Sequence, residues 1–307
     1  MCLLASHALA LAPSTALLPG ETAAPARSDA SIRLFALYGI ADNSNALKKR
    51  WLPVAPDWCE PRFLELPWHG GRSKEDPPAY ALRHAAAEGD ALEAGAARRR
   101  ALAEEIADDL APFLDEPYAF YGFSLGAIVL YEVALVLKAR GRPLPRRLVA
   151  CGRGAPHCCP AARRHYAAVA SNDDEFVLGW MRDRMAFETD RLPARIRRRA
   201  ARLFRMGVLL GVQPGGGGDD AGTPLTWGSV GDAATAAMPL LAPPAPLDVP
   251  ITAIGSDADA LWPPATLDRW ADVAATTRVD VAGVAHGDLM NDPGAVAAAF
   301  AALEEHT

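Results

Sequence analysis

A serine flanked by glycines, Gly122-Phe123-Ser124-Leu125-Gly126, is the pattern in this sequence that points most directly to chemistry. A serine hydroxyl becomes a useful nucleophile only where its oxygen is exposed and a base stands beside it. The G-x-S-x-G spacing meets the first need when a strand runs into it and a helix leaves it. The two glycines then let strand and helix approach without Cβ clashes. Both flanks read correctly here. Tyr118–Phe123 has the composition of a short aromatic strand, and Leu125–Leu137 is a strong apolar helix ended by Arg140, Gly141 and Pro143. The helix N-terminus behind the serine favours developing negative charge.

A serine at such a bend takes its partners in the chain order serine, acid, histidine. His286, in Val284-Ala-His-Gly-Asp-Leu289, follows a strand candidate and precedes a helix, whereas His306 lies at the terminus and His157 and His165 come too early. The acid belongs on the turn after the preceding strand. Ile251-Thr-Ala-Ile-Gly-Ser-Asp-Ala-Asp259 offers two, Asp259 as the preferred residue and Asp257 as the alternative, one of them being a turn residue.

The elements that must position these residues alternate. Strands are expected at Ile32–Tyr38, Arg62–Leu66, Tyr118–Phe123, Arg147–Cys151, Ile251–Ile254 and Arg278–Val281, with helices at Ala91–Leu110, Leu125–Leu137 and Ala295–Leu303. Alternation of this kind implies an α/β fold, a mainly parallel sheet covered by helices on both faces. The pattern changes between 161 and 246. Asp173–Met185 and Pro193–Leu210 read as helices, the first capped by Ser171 or Asn172, and Pro214–Gly222 reads as a flexible linker. The expected division is a tail at 1–30, core at 31–160, a helical lid insertion at 161–246 and core again at 247–307. The arginines between Arg195 and Arg205 read as the solvated face of a lid helix, the alternative being a dock for an acidic partner.

Composition narrows the classes. The chain has 307 residues, 50% of them hydrophobic and 22% charged, with ample length for a buried core. A net charge of −6 argues against a general nucleic-acid binder. No apolar run reaches the roughly 18 residues of a membrane-spanning helix. Five irregularly spaced cysteines do not make a disulfide framework, which implies a reducing compartment and a cytoplasmic location. His157, Cys158, Cys159 and His165 lie close together, but adjacent cysteines lack the spacing of a zinc knuckle. The tail at 1–30 is a disordered segment or, alternatively, a cleaved leader that would send the protein to an organelle.

These pieces together resemble the type II thioesterases, free-standing α/β-hydrolases that serve polyketide, nonribosomal peptide and fatty acid synthases. The likeness covers roughly residues 31–160 and 247–300. Leu34-Phe-Ala-Leu-Tyr38 resembles the family's first strand, and Leu66-Pro-Trp-His-Gly-Gly-Arg72 its Leu-Pro-Gly-Arg-Gly turn. Cys151-Gly-Arg-Gly-Ala-Pro-His157 is similar to its Ser-Gly-Arg-x-Ala-Pro-His segment, and the blocks at 250–259 and His286 match its acid and histidine, with the acid falling on Asp259. Two departures stand out. Phe123 replaces the family's usual histidine before the nucleophile. Tyr38-Gly39-Ile40-Ala41-Asp42 replaces its Pro-x-Ala-Gly-Gly loop, which supplies a backbone N–H to the oxyanion.

The resemblance implies a monomeric thioester hydrolase with Ser124, Asp259 and His286 as its triad. The backbone N–H groups of Leu125 and Ile40 would form the oxyanion hole. It implies an acyl or peptidyl carrier protein as partner, whose phosphopantetheine arm carries the acyl chain, and no metal or redox cofactor. Phe123, Phe176, Trp180, Met181 and Met185 are candidates to line an acyl groove, core packing being the alternative. The rival readings are an esterase or lipase-like enzyme of oxygen esters and a non-catalytic binding protein of the same fold.

Overall fold

The computed structural model describes residues 31–40, 42–73, 88–157, 173–185, 188–211 and 246–305. The tail at 1–30, Cys158, Cys159, His165, the proposed caps at 171–172, the glycine-rich stretch at 214–222 and His306 lie outside these residues.

Each stretch expected to be a strand contributes residues to one sheet. The strands are β1 (Ile32–Leu37), β2 (Cys59–Phe63), β3 (Tyr118–Phe123), β4 (Leu148–Cys151), β5 (Ile251–Ser256) and β6 (Thr276–Val281). They run in the order β2-β1-β3-β4-β5-β6, and every neighbouring pair is parallel. Parallel neighbours need crossovers, and helices supply them: α1 (Ser44–Trp51), α2 (Glu88–Leu110), α3 (Leu125–Ala139) and α6 (Pro264–Asp268), while α7 (His286–Leu289) and α8 (Pro293–Glu304) follow the last strand. Between β4 and β5 come α4 (Asp174–Met185) and α5 (Ala194–Gly211), with no strand among the described residues of that interval.

The period of a strand sorts the core onto two faces. Phe35, Tyr118 and Phe120 pack their rings together on one face, with Phe113 from the end of α2 against Phe35. Tyr121 points to the other face and meets Trp51 of α1 at 4.2 Å between ring centroids, and Trp51 in turn meets Phe300 of α8 at 5.3 Å. The central strands β3 and β4 are buried throughout, whereas the edge strand β6 alternates and carries Arg278 and Asp280 outward. Charges on an edge strand discourage pairing with another chain.

The second strand differs from the expected Arg62–Leu66. It starts earlier, at Cys59, and ends at Phe63. As the outer strand of the sheet it tolerates Pro61, which has no N–H to give. Its polar Glu60 and Arg62 hide it from a reading based on apolar runs. Leu64 still donates its N–H to the Ala36 carbonyl at 2.9 Å, and then the chain turns away. The short helix α1 was not anticipated, since only Leu47 and Trp51 mark its buried face besides Ser44. Among the described residues, no helix is long and apolar enough to cross a membrane.

Candidate active site

The bend at the end of β3 is as sharp as the glycine spacing requires. Ser124 has φ 50° and ψ −114°, a strained backbone for a residue with a Cβ. A Cβ at Gly122 would fall on the backbone of Ala127, and one at Gly126 on the carbonyls of Leu37 and Tyr38. Both glycines are therefore required by close backbone approach. The Ser124 N–H donates to the Cys151 carbonyl at 2.8 Å, which holds the bend against β4.

His286 opens α7 on the loop after β6, and Asp259 lies on the turn after β5. The structure brings both to the serine. His286 Nδ1 lies 2.7 Å from Asp259 Oδ2, and His286 Nε2 lies 3.1 Å from Ser124 Oγ. A carboxylate can only accept, so the proton sits on Nδ1 and Nε2 offers a lone pair to the serine hydroxyl. Ser124, Asp259 and His286 are 4%, 2% and 2% exposed. The other carboxylate oxygen, Asp259 Oδ1, accepts the N–H groups of Leu261 (2.9 Å) and Trp262 (3.0 Å).

Asp257 has a different job. Its Oδ1 accepts the Gly283 N–H at 2.7 Å, and that contact holds its carboxyl below the usual range. Ser256 Oγ, fully buried, accepts the N–H groups of Ala258 (3.1 Å) and Val284 (3.0 Å). These two neighbours staple the histidine loop to the acid turn. Neither role has a local sequence signal, because the partners are more than 25 residues away.

Two further features escaped the sequence reading. Gly152 has φ +59°, and a Cβ there would sit 2.8 Å from the Phe123 ring and 3.4 Å from His286 Cε1. Arg153 lays its guanidinium over Trp262 at 4.0 Å, while its carbonyl accepts the Trp270 indole N–H at 2.8 Å. The segment Cys151–His157 thus buttresses both the histidine and the acid turn. His157 itself turns away from the site, with Nε2 2.8 Å from Asp272 Oδ2.

Phe123 stacks on the His286 ring, with centroids 5.2 Å apart and planes 30° apart. Gly39 abuts the same bend: a Cβ on it would lie 2.9 Å from the Phe123 ring and 3.1 Å from Ser124 Cβ. Ile40 follows, half-buried, with its side chain against Gly207 of α5. Leu125 is the first residue of α3, where a helix leaves its N–H without an intrahelical partner. Asp42 directs Oδ1 to the Asn43 N–H at 2.8 Å, and burial lifts its carboxyl pKa.

Of the candidate groove residues, Trp180 and Met181 are 3% and 0% exposed, and Trp180 packs on Phe204 of α5 at 5.0 Å between centroids. They form the shared core of α4 and α5. Phe176 is half-buried on the same helix. The side chain of Met185 lies outside the described residues. The arginines of α5 divide: Arg197 pairs with Glu175, Arg205 with Asp174, and Arg199 donates to the Trp68 carbonyl at 3.0 Å.

A parallel sheet that presents its serine from β3 and recruits the partners from the loops after β5 and β6 is the arrangement of the α/β-hydrolase fold, and this chain has that fold. Residues 73–193, less than half of the chain, match the thioesterase domain family. The chain is 45% identical over 53 residues to linear gramicidin dehydrogenase LgrE of Brevibacillus parabrevis, covering 17% of this chain and 20% of that one. It is 25% identical over 150 residues to gramicidin S biosynthesis protein GrsT of Aneurinibacillus migulanus, covering 49% and 50%. The match therefore spans at most half the length of these two relatives. The fold is similar to that of RedJ, a thioesterase from the prodiginine pathway of Streptomyces coelicolor, with TM-score 0.67, 23% identity and 92% of each chain covered.

Proposed function

We propose that this chain hydrolyses acyl thioesters carried on the phosphopantetheine arm of an acyl or peptidyl carrier protein, releasing or editing chains during peptide, polyketide or fatty acid assembly. The observation that carries the reading is the hydrogen-bonded run from Ser124 through His286 to Asp259. The thioesterase domain match and the name of one relative, a gramicidin S biosynthesis protein, support the substrate class.

In this reading Ser124 Oγ attacks the thioester carbonyl while His286 Nε2 takes its proton. Asp259 holds the tautomer and stabilises the imidazolium. The N–H groups of Leu125 and Ile40 receive the oxyanion, a service worth about 100–1,000-fold in turnover for a single donor. His286 then protonates the departing thiolate. It next takes a proton from water as that oxygen attacks the acyl-serine, then returns the proton to Ser124 Oγ as the ester C–O bond breaks and the carboxylic acid leaves. Every step uses groups of this chain, substrate and water, and no cofactor enters. Phe176, half-buried on α4, is the groove candidate that retains a place beside the acyl chain, whereas Phe123, 6% exposed, is packed on His286.

The test is hydrolysis of an acyl panel on a pantetheinylated carrier protein, with a nitrophenyl ester alongside, by wild type and Ser124→Ala. Thioester cleavage by wild type and its loss by about 10⁴-fold or more in Ser124→Ala are expected. Cleavage that survives the substitution overturns the reading. Turnover of the nitrophenyl ester alone transfers the triad to oxygen esters.

A further inference from the structure

The loop after β1 has lost the glycines of the related family, yet it must still present an N–H beside Ser124. One buried carboxylate lies across it. Glu65 follows β2 at the edge of the sheet and is 2% exposed. Its Oε1 accepts the Tyr38 hydroxyl and, at 3.4 Å, the Ser44 N–H, and its Oε2 accepts the Ser44 hydroxyl at 2.7 Å. The Gly71 N–H also donates to it, and a Cβ at Gly70 would fall on Oε2, so the turn after Glu65 closes tightly over the carboxylate. Tyr38 in turn accepts the Leu66 N–H at 2.8 Å, which returns the network to the residue after Glu65.

Tyr38 and Ser44 are the two ends of a single segment. Between them stand Gly39, pressed against Phe123 and Ser124, and Ile40. Ser44 is also the first residue of α1, whose Asn43 cap makes no side-chain hydrogen bond, so Glu65 supplies the negative charge that a helix start favours. We infer that Glu65 is a positioning residue for the oxyanion loop: it clasps both ends of residues 38–44 and so fixes where the Ile40 N–H points. A hydrophobic replacement would strand four donors, the Tyr38 and Ser44 hydroxyls and the Ser44 and Gly71 N–H groups. A donor of this kind works only when its geometry is set before the reaction begins. The inference rests on the proposed hydrolysis at Ser124.

The experiment compares wild type, Glu65→Gln and Ser44→Ala. Turnover is read on an acyl-pantetheine thioester and on a nitrophenyl ester. Binding is read with two substrate analogues, a trifluoromethyl ketone that forms a tetrahedral adduct with Ser124 and an amide that stays planar. Gln replaces one acceptor with a donor among Tyr38, Ser44 and Gly71, so Glu65→Gln is expected to lower kcat by about 10–100-fold, part of the effect of losing a donor outright. KM and amide binding stay within about threefold, and ketone affinity falls by the same factor as kcat. Ser44→Ala removes one contact, loses about 3–10-fold in the same pattern, and carries the test should Glu65→Gln fail to fold. Unchanged kcat per folded molecule in both variants overturns the inference, as does equal weakening of ketone and amide. The ester arm separates the two claims. If wild type spares thioesters but Glu65→Gln loses ester turnover with intact KM, the substrate reading fails and the clasp stands.

Discussion

Replacing Asp259 with asparagine changes one atom, and its consequence follows from which atoms are already committed. Asp259 Oδ1 accepts two backbone N–H groups, from Leu261 and Trp262, and can only be succeeded by the amide oxygen. The amide nitrogen then takes the place of Oδ2, 2.7 Å from His286 Nδ1. Two donors cannot face each other, so Nδ1 gives up its proton and Nε2 gains one. The imidazole then donates toward Ser124 Oγ, 3.1 Å away, instead of accepting from it. The wrong tautomer in this arrangement costs about 10⁴-fold in kcat, on the order of 5 kcal/mol in the barrier. The assay is steady-state hydrolysis of an acyl-pantetheine thioester by Asp259→Asn, with Asp257→Asn as control. Asp257 clips Gly283 and meets Ser256 Oγ without touching His286, so its amide is expected to lose less than about tenfold. A loss below tenfold at 259, or the larger loss at 257, would refute this chain of reasoning.

Two further outcomes follow from the surroundings. Gly152→Ala places a Cβ 2.8 Å from the Phe123 ring in a left-handed backbone, so kcat is expected to fall at least about tenfold along with a lowered Tm. Gly141→Ala, with φ +62° and open space around it, is the control that meets the backbone cost alone, and equal behaviour of the two in both measurements would count against a steric role. His69 is buried with Nδ1 donating to the Pro67 carbonyl at 2.8 Å, and burial pulls its pKa down from 6.5 to about 4. Between those values the unfolded chain takes up a proton that the folded chain refuses. Stability therefore falls as pH drops through this window, by roughly 3 kcal/mol for this group. His69→Asn keeps a donor toward Pro67 and should flatten that slope in a Tm series against pH; an unchanged slope assigns the effect elsewhere.

What the sequence made legible was short in range. Gly122–Gly126 could be read because its constraint is local: glycines are needed where Ala127 and the carbonyls of Leu37 and Tyr38 crowd the bend. The buried strands β3 and β4 were legible because they are apolar on both faces. The edge strand β2 was displaced because its polar residues carry no apolar run, and α1 was too short to show a period. Asp257 and Asp259 could not be separated by type, since both sit on one turn. Distant groups, Gly283 for one and His286 for the other, decide between them. Trp180 and Met181 illustrate the same limit, because an apolar helix face looks alike whether it meets Phe204 or a substrate. The Glu65 clasp was invisible for the plainest reason: its partners are 21 and 27 residues away.

The ring of Phe123 occupies space that two neighbouring backbones have vacated. Gly39 approaches one edge and Gly152 the other, each too near for a side chain of its own, while the imidazole of His286 rests on the face. Positions 39, 123 and 152 are in this sense one unit of shape distributed over the carboxyl ends of three neighbouring strands. A slimmer ring at 123 would free room at both flanks and let the imidazole slide, so drift at any one of the three is checked by the other two. Phe123, next to Ser124, thereby governs how much freedom the imidazole of His286 has.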